Sequence, residues 1–247
     1  MLQQVVAMEK SVNIETGDGH IIYGTLNFPA EGTDKLIVFV HGITGSRKEH
    51  QFYDAARYFP QNGYATYRFN LYSRDEKGRV LSDIDIRTQS EDLNTVIRHF
   101  IGEYGEVFLV GHSLGGPTIM GADLGLIRAI VLWEPSITPD TAHGRSFYAY
   151  SENLKKYVIR WQFEYMVTAA MIEQWKDAGS LIKNLIKPTR VIFAGSYIIK
   201  RTWSNRLGEI PAVHDSITIN GAGHGFDEEG TQEKLYDATL DWIKRYQ

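Results

Sequence analysis

Two short stretches of this chain bring together residue types that can perform nucleophilic chemistry. The first is Gly111-His112-Ser113-Leu114-Gly115, a G-x-S-x-G run set directly after apolar residues 107–110 and before a helix-like segment beginning near Gly115. A serine so placed occupies a sharp strand-to-helix turn. Glycines two residues to either side let strand and helix approach without a side-chain clash. The turn directs the Ser113 hydroxyl out of the sheet. The amide of Leu114, at the start of the new helix, then faces the oxyanion that forms when the hydroxyl attacks a carbonyl. A serine hydroxyl is a poor nucleophile until an imidazole takes its proton. The second stretch supplies one: Gly221-Ala222-Gly223-His224-Gly225-Phe226, a glycine-rich loop between the last strand-like run and the final helix. A histidine there can reach over the carboxyl edge of a sheet to Ser113.

The chain has eight histidines, so position must choose among them. His112 lies inside the turn and is directed away from the hydroxyl. His214 stands at the wrong end of a strand, and His20, His50, His99 and His143 have no comparable context. His41 opens the loop His41-Gly42-Ile43-Thr44-Gly45 after the apolar run 35–40, a strand-end place that suits a structural hydrogen bond. That loop is where a second oxyanion donor belongs. Gly42 permits close backbone approach, and Ile43 is the candidate donor through its main-chain N–H.

These loops need a sheet to hold them. Runs at 5–15, 20–28, 35–40, 65–70, 106–110, 128–133, 190–194 and 216–220 are β-branched or apolar, and KLIVFV at 35–40 reads as a strand buried on both faces. Helical stretches at 48–61, 90–100 and 228–246 lie between or after them. The second carries Leu93, Val96, Ile97 and Phe100 at helical spacing. This alternation predicts an α/β fold: a mostly parallel sheet of eight strands with helices on both faces. Residues 135–187 exceed what one crossover helix needs and are rich in aromatics, among them Tyr148, Trp161 and Trp175. They are expected to form an inserted helical cap over the strand ends, with 1–134 and 188–247 as the core.

Composition narrows the function classes. With 43% hydrophobic and 23% charged residues and a net charge of −4, the chain is globular and shows no footprint for nucleic acid or an anionic membrane. The absence of cysteine removes disulfides, thiolate metal sites and cysteine nucleophiles. No histidine pair has a zinc spacing, so neither metal nor cofactor is expected. The first ten residues lack a signal-peptide pattern and no apolar run is long enough to span a bilayer, so a cytoplasmic protein is expected. Oligomeric state stays open.

HGITGSRKE, YRFN, QSEDLNTVI, VGHSLGG and GAGHGF together resemble bacterial carboxylesterases of the cinnamoyl (feruloyl) esterase type, within the α/β-hydrolase superfamily, from Ile21 almost to the C-terminus. The resemblance implies the α/β-hydrolase fold and cofactor-free hydrolysis of carboxylic esters, often aryl or cinnamoyl. It assigns Ser113 and His224 to catalysis, and the main-chain amides of Ile43 and Leu114 to the oxyanion. Two departures stand out. The family's Gly-rich loop after the fourth strand is replaced by Asn70-Leu71-Tyr72-Ser73-Arg74-Asp75, and Ile198 stands where the family's aspartate is expected, three residues past Gly195. Glu134, directly after the run 128–133, is the substitute acid. Haloalkane dehalogenases are similar in taking an acid from the end of this strand, but their nucleophile is aspartate, so Ser113 argues against that chemistry. The competing role for Glu134 is a structural salt bridge at the cap hinge, and Asp215 and Asp227 are weaker acids. The expected function is therefore a serine esterase acting on a small-molecule ester through an acyl-enzyme. A thioesterase or amidase with the same groups, or a non-catalytic ligand-binding relative, are the alternatives.

Overall fold

The computed structural model describes residues 7–141, 147–161, 163–195 and 198–247; His143 and the first two residues of the expected opening strand lie outside them. Strands β1 (Ala7–Glu15), β2 (Ile21–Pro29), β3 (Lys35–Val40), β4 (Ala65–Phe69), β5 (Glu106–His112) and β6 (Ile130–Trp133) are joined by two strands from late in the chain, here β10 (Thr189–Ala194) and β11 (His214–Ile219). They form one eight-stranded sheet in the order β1-β2-β4-β3-β5-β6-β10-β11. The pairs β1/β2 and β2/β4 are antiparallel, and every pair from β4 to β11 is parallel.

The continuous apolar runs follow from burial on both faces. In β3, Leu36, Val38 and Val40 enter one core while Ile37 and Phe39 enter the other, and β5, β6 and β10 divide their side chains the same way. Helices α2 (Ile86–Phe100), α3 (Gly115–Met120) and α5 (Ile199–Trp203) cover the first face; α1 (His50–Gln61) and α6 (Thr231–Lys244) cover the second. Helix α2 begins four residues before the expected 90. Asp85 caps it, its carboxylate accepting the amide of Thr88 at 2.8 Å, an N-terminal signal that a reading by apolar stripe alone passes over.

The insert departs from expectation. It is not all helical: β7 (Tyr148–Ser151), β8 (Lys156–Trp161) and β9 (Phe163–Val167) form a separate three-stranded antiparallel sheet, and only then does α4 (Ala169–Asp177) follow. The physical reason is legible in hindsight. Tyr157, Val158, Ile159 and Trp161, then Phe163, Tyr165 and Val167, are aromatic or β-branched residues that favour a pleated, half-buried surface. Ile159 and Val167 turn inward with Met171, Ile172 and Trp175 of α4 to make a third core, seated on Leu81, Ile84, Ile86 and Leu114. The insert is thereby fixed onto the elbow region through Leu114.

Candidate active site

The turn at Ser113 has the geometry its glycines allow. A Cβ on Gly111 would lie 2.6 Å from Ile119 Cδ1 and 2.8 Å from the Gly115 carbonyl oxygen, and one on Gly115 only 2.2 Å from that of Val40. Ser113 itself takes φ 54°, a conformation costly for a residue with a side chain. Neighbouring backbone holds it there: its N–H donates to Trp133 O at 3.0 Å, and its carbonyl accepts from Ser136 N at 3.0 Å. Leu114 immediately precedes α3, the position that the expected oxyanion donor requires. The loop after β3 lies against the serine, since a Cβ on Gly42 would be 2.8 Å from Ser113 Cβ and 3.3 Å from Oγ. Ile43 follows, on the same cavity wall.

His41 is fully engaged in structure. Its Nδ1–H donates to Gly42 O at 2.8 Å and its Nε2 accepts from Leu71 N at 3.0 Å, which fixes a neutral tautomer. Burial lowers its pKa to about 4. The ring therefore holds the Gly42 loop to the end of β4.

Glu134 is buried at the C-terminal end of β6, with φ 45°. Its N–H donates to Ile192 O at 2.8 Å, and its Oε1 accepts from Ala194 N at 2.5 Å, so β10 grips both its backbone and its carboxyl. The other oxygen, Oε2, faces His224 Nδ1 at 3.6 Å, ion-pair range but longer than a hydrogen bond. Burial pushes the Glu134 carboxyl up to about 8, against the lowering effect of the Ala194 N–H. The position of the expected aspartate, Ile198, is 40% exposed ahead of α5. Asp215 is bound by Arg190 at 2.6 and 2.8 Å, and Asp227 is held by His50. Of these acids Glu134 is the one in ion-pair contact with His224.

His112 turns to the His224 loop, a contact the sequence did not disclose. Its Nε2–H donates to the carbonyl of His224 at 2.8 Å, and the two rings lie 4.7 Å apart. Burial and the neighbouring His224 lower the His112 pKa to about 3, so the ring is a neutral donor. It anchors the loop that carries His224.

Ser113, His112 and His224 open on one cavity with Ile43, Thr44, Ser136, the insert aromatics Phe147, Trp161 and Trp175, and Glu49. Trp161 lies 6.2 Å from the His224 ring. Trp175 donates to Ser136 O at 3.1 Å, tying the insert wall to the segment after Glu134. Glu49, the last residue of the HGITGSRKE motif, is a cavity residue that the motif alone does not single out. Among the described residues no group of three or more His, Asp or Glu is placed to hold a metal ion, and no helix is long and apolar enough to cross a membrane.

Comparison with known proteins agrees with this architecture. The structure superposes on Est1E from Butyrivibrio proteoclasticus, solved with ferulic acid bound, with a TM-score of 0.79 at 16% identity over 95% of this chain and 98% of that one. Dienelactone hydrolase from Anabaena variabilis gives 0.71 at 19% identity over 97% and 98%. The esterase domain of a Rhodothermus marinus protein gives 0.75 at 16% identity over 97% and 99%. At such identities the likeness speaks for the fold. No curated protein sequence matches the chain. A family model described as the alpha/beta hydrolase family matches residues 37–226, which run from β3 through the His224 loop. The chain belongs to the alpha/beta hydrolase family.

Proposed function

We propose that this protein hydrolyses carboxylic esters through an acyl-enzyme on Ser113. The observation that carries the reading is the convergence at one cavity of a strained serine, the backbone of the Gly42–Ile43 loop, and a histidine backed by a buried carboxyl at 3.6 Å. In this mechanism His224 takes the Ser113 proton as Oγ bonds to the ester carbon. The amides of Ile43 and Leu114 hold the oxyanion. The carbon–oxygen bond to the leaving alcohol then breaks as His224 returns the proton to it, and water repeats the cycle to free the acid. Glu134 fixes the histidine tautomer and stabilises the imidazolium. The insert aromatics favour an apolar or aryl acyl group, and the ferulic acid bound by the Butyrivibrio relative supports the same preference.

The test is labelling with a fluorophosphonate alongside a panel of p-nitrophenyl, cinnamoyl and thioester substrates. We expect stoichiometric labelling, ester turnover exceeding thioester turnover, and loss of both labelling and turnover in a folded Ser113→Ala protein. More than a few per cent of wild-type turnover in that variant would refute the nucleophile. Thioester preference would move the reading to a thioesterase with the same machinery.

A further inference from the structure

One carboxyl in the cavity has no partner in the mechanism. Glu49 directly precedes α1, yet its side chain makes no capping hydrogen bond to that helix. It folds back against the loop that carries Ile43 instead: a Cβ on Gly45 would lie 2.8 Å from both carboxylate oxygens. Its Oε2 is enclosed and has no hydrogen-bond partner among the described residues. The side chain is part-buried, and an enclosed carboxyl oxygen without a partner is destabilising, so native structures seldom keep one without a use. Nearby Asp227 differs, because it is already held by His50.

The rest of the cavity shows what would match the group. Its walls are aromatic on the insert side, with Phe147, Trp161 and Trp175, and no lysine or arginine is among the described residues that line it. Among those described residues Glu49 is the one acidic group. Aromatic rings and a carboxylate on one cavity form an environment that suits a cation, since ring quadrupoles and a negative charge attract the same partner. A bound ammonium would also relieve the repulsion between Glu49 and Asp227. That repulsion, after burial, raises the Glu49 carboxyl to about 7.

We infer that Glu49 is a specificity residue that binds a protonated amine, so that the substrates are carboxylic esters bearing an ammonium group close to the scissile bond. The inference refines the ester-hydrolase reading and rests on it for the word substrate, but the binding itself needs no turnover. An anionic substrate would meet an uncompensated carboxylate here, and a neutral one would leave it unmatched.

The test is tryptophan-fluorescence titration at pH 8 with three ligands of one shape: phenethylammonium, phenethyl alcohol and 3-phenylpropionate. The ammonium is expected to bind at least tenfold tighter than either of the others. In Glu49→Gln the three affinities should fall within about twofold of one another. Equal affinities in the wild-type protein overturn the inference whether or not the variant folds. A preference that survives Glu49→Gln overturns it as well, and alcohol binding equal to ammonium binding would make this a hydroxyl site instead. Fluorophosphonate labelling of the same protein separates the two readings. Fluorophosphonate labelling of the wild type without ammonium preference defeats only the Glu49 assignment, and ammonium preference without labelling defeats only the hydrolase.

Discussion

Glu134→Gln is the perturbation on which the proposed mechanism is most exposed. Glutamine keeps the size of the side chain and an oxygen to accept from Ala194 N, so the fold around β6 and β10 has no reason to change. It removes the charge facing His224. A unit charge pair at 3.6 Å is worth roughly 4.6 kcal/mol at an effective dielectric of about 20, the value suited to protein sites. At about 1.4 kcal/mol per decade this amounts to roughly three orders of magnitude in kcat. The full loss requires that the carboxyl be ionised, and burial raises it to about 8. At pH 7 only about a tenth of the molecules carry the charge. The gap between wild type and Glu134→Gln should therefore be about 10² at pH 7 and about 10³ at pH 9, with KM little altered. Steady-state hydrolysis of a p-nitrophenyl ester from pH 6.5 to 9.5 measures both. A gap under tenfold at pH 9 would mean that the site works as a Ser–His dyad or draws its acid from elsewhere. A gap that does not widen with pH would mean that the carboxylate is charged throughout. Stability supplies a second readout. A carboxyl raised from 4.5 to about 8 contributes stability that is present below the unfolded value and lost as pH rises through the folded one. Relative to wild type, the Tm of Glu134→Gln should climb from pH 4.5 to 8 and then level.

Three further outcomes are expected, from two variants. His112→Phe keeps a ring beside His224 but removes the 2.8 Å hydrogen bond to its carbonyl, so kcat should fall roughly ten- to hundredfold with KM nearly unchanged; equal loss in both parameters would point to general damage. The folded His112 pKa of about 3 lies below its ordinary 6.5, so wild type loses stability as pH drops below 6.5, and the Tm difference between wild type and His112→Phe should shrink from pH 6.5 to 4. Gly115→Ala would drive a methyl to 2.2 Å from Val40 O, a backbone atom fixed in β3, and should destabilise by roughly 3 kcal/mol in chemical denaturation; a change below about 0.5 kcal/mol would show that the elbow is looser than its geometry.

What the sequence disclosed divides along physical lines. The parallel strands were legible because burial on both faces demands unbroken apolar runs, as in Lys35–Val40, whose bounds match the observed strand. The elbow was legible because backbone contacts at Gly111 and Gly115 exclude every other side chain. The insert was misread because aromatics at half-exposed positions serve a strand and a helix almost equally well, and its third core forms only once Ile159 and Val167 meet α4. The His112–His224 and Glu49–Gly45 approaches were invisible for a different reason. The first joins positions 112 residues apart whose proximity depends on how the last loop closes over the sheet, and the second depends on how a single loop folds back on itself, which no apolar pattern encodes.

The backbone of the site states the same dependence energetically. Six non-glycine residues among those described adopt positive φ, and four of them, Thr44, Ser113, Glu134 and Phe226, belong to the segments that build the cavity and its histidine loop. Each such residue costs on the order of 1–3 kcal/mol, so the four together approach the whole net stability of an ordinary domain, roughly 5–15 kcal/mol. Two of them, Ser113 and Glu134, are held by hydrogen bonds from neighbouring strands: Ser113 to Trp133, Glu134 to Ile192, and Ala194 to the Glu134 carboxyl. Three adjacent strands, β5, β6 and β10, thus fix the serine and the acid as a single rigid edge. The histidine arrives separately, on a loop held by His112. Variants that loosen this loop should consequently alter the rate before they alter the fold, whereas variants at the strand ends should do both at once.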